Sequence, residues 1–219
     1  QEILILVVTK LSTFKGDSKF HTWVYRVATN YLLTAKKILS RDLGLTFEMF
    51  AADLEAGLVA DSVPDVEETI LLNELRIACT SAMLLCLDGK HRVAYVLGDI
   101  LELDHVEAAE VLGISKDNFR KRLSRARGRV VEFTQANCGL ANSAAKCSCK
   151  RRLPAAVEMG RVSSSHLQYA TEDAPSYAAT AIDVEKTVGD LKVLKLQTAT
   201  SSFRCPDDLA AAIEKIVQA

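Results

Sequence analysis

Residues 106–130 constrain the fold of this chain more than any other stretch. Apolar residues recur there at helical spacing on both sides of Gly113, a residue type that tolerates the left-handed conformation in which helices often end. Ser115 is suited to cap the helix that follows. The predicted apolar positions are Val106, Ala109 and Leu112 before the turn, and Phe119, Leu123, Ala126 and Val130 after it. We therefore expect two helices joined by a tight glycine turn, with the small Ala109 where they cross.

The second of these helices has a strongly basic face. Residues 116–129 hold seven basic side chains against the single acid Asp117, although the whole chain has a net charge of only −1. In a helix-turn-helix the second helix enters the major groove of DNA, where its first residues reach base edges and other basic residues neutralise phosphates. The pattern predicts base-edge contacts by Lys116, Asn118, Arg120 and Lys121, and phosphate contacts by Arg122, Arg125, Arg127 and Arg129.

The rest of the chain also has helical periodicity, with few residues to interrupt it. Only four prolines and ten glycines occur among 219 residues. The prediction is an all-α fold, in which two small helical domains are joined by an acidic linker and followed by a helical C-terminal extension. The predicted units are a first domain at 1–43, the linker at 44–66, a helix-turn-helix domain at 67–133 and the extension at 134–219.

Four shorter segments are assigned from their apolar pattern. Ile3–Val8 is rich in β-branched residues and is assigned to a helix only from its context. No apolar run in the chain is longer than this one, which is far shorter than the roughly 20 residues that a membrane span requires. A short helix is expected in the linker near Phe47–Leu54, and two amphipathic helices in the extension at Ile182–Leu194 and Asp207–Val217. With no basic leader before a hydrophobic core and no disulfide framework, a cytoplasmic protein is expected.

Two segments of the chain resemble one protein family. Ala108–Ser115, followed by Phe119–Arg127, resembles region 4 of the bacterial RNA polymerase sigma factors of the extracytoplasmic-function (ECF) class. In that family, region 4 binds the upstream promoter element. His91–Leu97 is similar to the helix that precedes the helix-turn-helix in that domain. The family usually has a proline at Asp88-Gly89 and a threonine-valine pair at Asn118-Phe119. These departures bear on fine specificity rather than on the fold.

Leu11–Asn30 is similar to region 2 of the same family, which engages the single-stranded minus-ten promoter element. The chemistry suits this role, because a polar loop can pocket a flipped base and the helix that follows offers stacking surface and hydrogen bonds. The resemblance assigns minus-ten contacts to Phe14, Lys15, Gly16, Asp17, Ser18, Trp23, Arg26 and Asn30. Trp23 has the alternative role of a core residue, so the prediction depends mainly on the loop and on Asn30.

The resemblance implies a sigma factor that binds core RNA polymerase and directs promoter recognition, DNA melting and transcription initiation. The implied partners are core RNA polymerase, promoter DNA and an anti-sigma factor. The alternative is a stand-alone helix-turn-helix transcriptional regulator. Such a regulator has no use for a base-flipping loop or for a polymerase-docking helix. Gln1–Val8 resembles the end of that docking helix. No catalytic residue is implied, and no Ser/His/Asp set, Gly-rich phosphate loop or carboxylate pair points to an enzyme.

The extension begins with three cysteines beside basic residues. The cysteines are Cys138, Cys147 and Cys149, and their neighbours are Lys146, Lys150, Arg151 and Arg152. Nearby cations lower the pKa of a thiol, which favours metal binding and redox reactivity. The patch is therefore predicted either to bind zinc or to act as a redox switch, with inert cysteines as the remaining alternative. No cofactor is assigned. A zinc ion would need a fourth ligand, for which His166 and Cys205 are the candidates. Cys79 and Cys86 are assigned to the core.

Overall fold

A computed structural model describes residues 1–39, 44–59, 66–170 and 174–200. Regular structure within these residues is helical, and the β-type pairing among them is one isolated bridge between Cys138 and Cys147. The helices are α1 (Glu2–Thr9), α2 (Phe20–Leu39), α3 (Phe47–Glu55), α4 (Val66–Leu85), α5 (Gly89–Tyr95), α6 (His105–Leu112), α7 (Lys116–Asn137), α8 (Cys149–Glu158), α9 (Tyr177–Glu185) and α10 (Leu191–Thr198). The predicted all-α class is confirmed. The predicted helix at Asp207–Val217 and the ligand candidate Cys205 lie outside the described residues.

Helix α4 lies at the centre of the fold. All seven residues at 71–77 are buried, so the helix is covered on every side rather than on one apolar stripe. The cover comes from the C-terminal extension, because α8, α9 and α10 all pack against α4. The extension also enters the core of the helix-turn-helix domain, where Val193 of α10 packs in the same cluster as Phe119 and Leu123 of α7.

Buried charges fasten the extension to α4. The carboxylate of Glu74 accepts hydrogen bonds from the backbone N–H groups of Gln168, Tyr169 and Ala170, at 2.8, 2.9 and 2.6 Å. Three backbone donors of the loop are thereby paired with one carboxylate that is itself 2% exposed. A glutamate in the middle of an apolar helix is therefore explained by a loop almost a hundred residues further along the chain.

The predicted short linker helix is confirmed as α3, which begins after the cap Thr46. Its apolar face packs on the end of α7, where the ring of Phe50 stacks on Phe133 with centroids 5.4 Å apart. On the other side, Asp53 accepts a hydrogen bond from Arg152 of α8 at 3.1 Å and also pairs with Arg161. The acidic segment is thus bound to the basic start of the extension.

The first two helices form a separate pair against the helix-turn-helix domain. The run Ile3–Val8 is helical as predicted, within α1, and α1 packs on α2. Helix α2 in turn packs on α6. Within the part of the chain that is described, no helix is both long and apolar enough to cross a membrane.

The prediction of one helix at Ile182–Leu194 is wrong. The chain forms α9 and α10 there, separated by a turn in which Gly189 has φ +61°. A left-handed glycine ends a helix because it has no Cβ to clash with the following carbonyl, and this signal outweighs the apolar spacing on either side. The two short helices then pack against each other.

Candidate DNA-binding interface

The turn between α6 and α7 has the geometry that the sequence predicts. Gly113 follows α6 with φ +61°, in the left-handed region, and its N–H donates to the carbonyl of Glu110 at 3.1 Å. The Ser115 hydroxyl then accepts a hydrogen bond from the N–H of Asn118 at 3.3 Å and caps α7. The glycine that ends α6 and the serine that caps α7 together fix the angle between the two helices.

The apolar stripe of α7 is confirmed, whereas the predicted edge of α6 is partly wrong. The stripe residues Phe119, Leu123, Ala126 and Val130 are all buried. In α6, however, Val106 is 59% exposed, and Ala108 and Val111 are buried with Ala109 instead. The capping carboxylate of Asp104 determines which face of α6 is buried. It accepts from the N–H of Val106 and holds that residue in the first, solvent-exposed turn.

Gly98 is a contributor to this core that sequence reasoning missed. It lies in the π-helical turn Val96–Ile100 that continues α5, directly against α7. A Cβ at this position would lie 2.7 Å from a methyl carbon of Leu123 and 3.3 Å from the ring of Phe119. The close approach of α5 to α7 therefore requires glycine here, and an isolated glycine in a helical pattern was the only available signal.

The predicted base-edge residues lie together on the open side of α7. Lys116, Asn118, Arg120, Lys121 and Arg125 are exposed, and Arg122 is half-buried. Arg129, also exposed, is less free, because its guanidinium stacks over the ring of Phe47 at 5.1 Å from the centroid. The described part of the extension leaves this basic face open, since α10 packs on the opposite, apolar side of α7. Contacts of these residues with DNA stay a prediction.

The assignment of Arg127 to phosphate neutralisation needs correction. Its guanidinium forms two hydrogen bonds with the buried carboxylate of Asp99, with 2.9 Å between Nε and Oδ2. Since Asp99 is almost fully buried, it requires a cationic partner, and Arg127 supplies it. The pair raises the pKa of Arg127 above its usual value. Arg127 is therefore a structural residue that links the π-helical turn to α7.

The predicted minus-ten residues fall into two groups. Lys15, Gly16, Asp17 and Asn30 are exposed, and Ser18 is half-buried, with Gly16 at φ +79° in the loop. Phe14 packs instead against Trp23 with ring centroids 5.7 Å apart, and Trp23 is only 8% exposed. Trp23 thus serves the alternative role of a core residue in this arrangement.

Arg26 is brought to the helix-turn-helix itself. Its guanidinium donates to the carbonyl oxygen of Glu110 at 3.0 Å and to its carboxylate at 3.1 Å. Nearby, the hydroxyl of Thr22 donates to Glu107 at 2.7 Å. These two glutamates of α6 are partners that the sequence pattern did not reveal, because contacts between residues over eighty positions apart leave no local signal.

The cysteine patch differs from its prediction in one respect. Burial raises the pKa of Cys138 and Cys149 and raises that of Cys147 to about 11, although Arg151 and Arg152 act in the opposite direction on Cys147. Desolvation therefore outweighs the neighbouring cations, which does not favour the redox-switch alternative for this patch. The described residues contain no group of three or more His, Cys, Asp or Glu side chains already arranged to hold a metal ion.

A capped basic helix behind a left-handed glycine turn, supported by a buried apolar stripe, defines a helix-turn-helix protein of the DNA-binding class. Comparison with known proteins gives the family. Residues 77–130 match the family model for sigma-70, region 4. The chain is 30% identical over 130 residues to the ECF RNA polymerase sigma factor SigW of Bacillus subtilis (strain 168), covering 58% of this chain and 68% of that protein.

Further relatives agree with this family. The ECF RNA polymerase sigma-E factors of Escherichia coli (strain K12) and Salmonella typhimurium (strain LT2) are each 30% identical over 135 residues, covering 58% of this chain and 67% of theirs. No solved structure gives a significant match. The chain belongs to the ECF family of RNA polymerase sigma factors, which act in transcription initiation, and the predicted resemblance is confirmed.

Proposed function

We propose that this sigma factor binds core RNA polymerase, recognises an upstream promoter element through α7 and acts in melting at the minus-ten element through its N-terminal loop and α2. The observation that carries the proposal is the exposed basic face of α7 over a buried apolar stripe. That face has the density of positive charge that binding to the phosphate backbone requires. It also lies within the segment that matches sigma-70 region 4.

The N-terminal part of the proposal is supported by exposed side chains in the loop and on α2. Lys15, Asp17 and Asn30 are accessible to a single strand. Arg26 is paired with Glu110 of α6, so it would contact DNA only after α2 has moved away from the helix-turn-helix domain. The proposal therefore includes a separation of α2 from α6 on promoter binding.

Contact with polymerase is supported by the outer face of α1. Leu4, Ile5 and Val8 are large apolar side chains that are exposed on this short helix. The segment resembles the end of the polymerase-docking helix of the family, and burial against a partner would remove these side chains from water. An anti-sigma factor is a further proposed partner.

Binding to core polymerase separates this proposal from a stand-alone regulator. The full chain is expected to co-elute with purified core RNA polymerase in size-exclusion chromatography and to support specific transcription from a cognate promoter. Replacing Ile5 and Val8 with serine should weaken co-elution, whereas the same change at the exposed Val188 of the extension should not. A chain that binds promoter DNA but never polymerase would favour the regulator.

The upstream contacts are tested by single substitutions on α7. Arg120→Ala and Lys121→Ala are each expected to weaken specific binding by about 1–3 kcal/mol if they contact bases, and Arg125→Ala to weaken all sequences alike. Lys186→Ala is the matched control, since it removes one exposed positive charge directly after α9, away from α7. Footprinting in which the α7 variants equal the control would remove α7 from the interface.

Promoter melting is tested separately from polymerase binding. Replacing Gly16-Asp17-Ser18 with alanines should abolish permanganate-reactive thymines at the minus-ten element while leaving co-elution with polymerase intact. The corresponding change in the exposed loop Ser163-Ser164-Ser165 serves as the control. Normal melting by the first variant would exclude the N-terminal loop from this step.

A further inference from the structure

The cysteine patch of the extension has a fourth thiol beside it, on α4. Cys79 and Cys149 pack against the same apolar cluster, which contains Leu72 and Leu153. Cys79 also packs with Cys147 against a second cluster. Helix α8, which begins at Cys149, lies along α4, and this packing brings the two parts of the chain together.

The loop that carries the other three cysteines is closed on itself. Cys138 and Cys147 pair in the isolated bridge, and the N–H of Gly139 donates to the carbonyl of Cys147 at 2.8 Å. A Cβ on Gly139 would lie 2.7 Å from that carbonyl oxygen, so the closure requires glycine. Ser148 then caps α8 by accepting from the N–H of Arg151. Closure places Cys138 and Cys147 next to the first residue of α8.

The shared packing of the thiols has an electrostatic consequence. Burial raises the pKa of Cys79 to about 12, and the next contributions come from Cys147 and Cys138. The pKa of Cys149 is likewise raised by burial and then by Cys138, Cys79 and Cys147. Burial and neighbouring thiols thus both raise the pKa of Cys79 and Cys149, which favours their neutral form when no cation is bound.

One nitrogen of a buried guanidinium beside these thiols lacks an acceptor. Arg76 is 1% exposed; its Nε and Nη2 donate to Asn73 and its Nη2 also to the carbonyl of Pro175, but its Nη1 has no hydrogen-bond acceptor among the described residues. Burial lowers the pKa of Arg76, and Cys149 is the first group that counteracts this. A buried guanidinium with a free N–H is costly unless an anion lies next to it. Four thiolates around one zinc ion carry a net charge of −2, which would supply that anion.

We propose that Cys79, Cys138, Cys147 and Cys149 form a structural zinc site, with Arg76 donating a hydrogen bond to its thiolate shell. Zinc binding replaces four S–H protons, which pass to solvent, with four Zn–S bonds. The sulfurs are not at ligand spacing in this structure, so the proposal requires the loop 138–149 to shift toward α4 when zinc binds. The site fastens the extension to the helix-turn-helix domain, and Cys79 takes the place of His166 and Cys205 as the fourth ligand.

The first experiment measures zinc in the full chain purified without chelator. About one zinc ion per chain is expected in the wild type, and most of it should be lost in Cys79→Ser and in Cys147→Ser. Cys86→Ser is the matched control, since Cys86 is a buried cysteine directly after α4 and no other thiol is among the groups that shift its pKa. Retention of zinc by Cys79→Ser but not by Cys147→Ser would overturn the assignment of Cys79.

A second experiment needs no variant and so does not depend on whether the variants fold. The reduced wild-type chain, reconstituted with Co²⁺, should show the thiolate charge-transfer and tetrahedral ligand-field absorption of a four-sulfur site. Treatment with chelator should make the four cysteines reactive to an alkylating agent together, while Cys86 stays protected. Failure to bind either metal, or a disulfide within the patch in mass spectra of the native chain, would overturn the proposal. Labelling of three cysteines with Cys79 still protected would overturn it as well.

Discussion

The N-terminal helices and the C-terminal extension both pack on the helix-turn-helix domain, but by different kinds of contact. The extension is held through charged side chains of α4 that are almost fully buried: Glu74 accepts from the backbone of residues 168–170, and Arg76 donates to the carbonyl of Pro175 at 3.4 Å. Helix α2 has one buried contact, from Thr22 to Glu107, but its ion pair lies nearer the surface: the side chains of Arg26 and Glu110 are 40% and 42% exposed. An open apolar groove of about 460 Å³ also separates α2 from α5.

The difference indicates which contact can open. Removing a buried charged side chain leaves its hydrogen-bond partners unsatisfied, at a cost of about 1–3 kcal/mol or more, whereas an exposed ion pair contributes at most about 1 kcal/mol. The extension is therefore an integral part of the folded unit. The contact of α2 with α6 has the weaker construction, which suits the proposed separation of α2 on promoter binding.

The largest expected effect is at Glu74. Glu74→Ala leaves the N–H groups of residues 168–170 without an acceptor, and we expect the free energy of unfolding to fall by about 3 kcal/mol. Urea denaturation followed by circular dichroism measures this change. Glu110→Ala on α6 is the control for loss of a carboxylate, and its effect should stay below about 1 kcal/mol. Equal effects of the two variants would remove the distinction between the two contacts.

The helix-turn-helix could be predicted from sequence because its determinants are local. Gly113, Ser115 and the stripe on α7 lie within one short segment, and helix stop, cap and periodicity all agree there. The buried face of α6 was predicted partly wrongly because the cap at Asp104, rather than apolar spacing, determines it. Arg127 was misassigned because its partner Asp99 lies 28 residues away and its charge alone gives no sign of an internal pair.

The extension could be predicted only as a set of helices. Its attachment depends on pairs such as Glu74 with residues 168–170, and such distant contacts leave no periodic signal. The chemistry of the cysteine patch could not be predicted for the same reason, because it depends on contacts between distant parts of the chain. The basic residues beside Cys147 are visible in the sequence, whereas the burial that raises the thiol pKa arises only when α8 packs on α4.

A smaller effect is expected at the contact between linker and extension, and it depends on pH. Hydrogen bonds and charges from Arg161 and Arg152 lower the pKa of Asp53 below its usual value. Its contribution to stability is therefore present above the unfolded-state pKa of about 4 and is lost as the pH falls through the lower folded-state pKa. Asp53→Asn should reduce stability by about 1–2 kcal/mol at neutral pH.

Denaturation at a series of pH values measures this effect. The difference between wild type and Asp53→Asn should shrink as the pH is lowered from 6 to below about 3, because protonation removes the same charge from the wild type. Glu55→Gln is the matched control on α3, since the Glu55 carboxylate is exposed and its ion-pair partner among the described residues is the exposed Lys146. A pH-independent difference for Asp53→Asn would contradict the role of its charge.

The smallest effect is expected where α2 meets α6. A double-mutant cycle of Arg26→Ala and Glu110→Ala should give a coupling energy of about 0.2–1 kcal/mol that decreases with added salt, because both side chains are partly in water. The Arg26 guanidinium also donates to the backbone carbonyl of Glu110, and that bond persists in Glu110→Ala. The coupling energy therefore reports the carboxylate alone. Arg26→Lys cannot span both acceptors in a fixed fork and should lose most of this coupling energy.

If α2 must leave α6 for promoter melting, Glu110→Ala should form permanganate-reactive complexes at least as fast as wild type despite its lower stability. Slower melting would instead mean that the contact is needed in the open complex, and α2 would then join the extension as a permanent part of the domain.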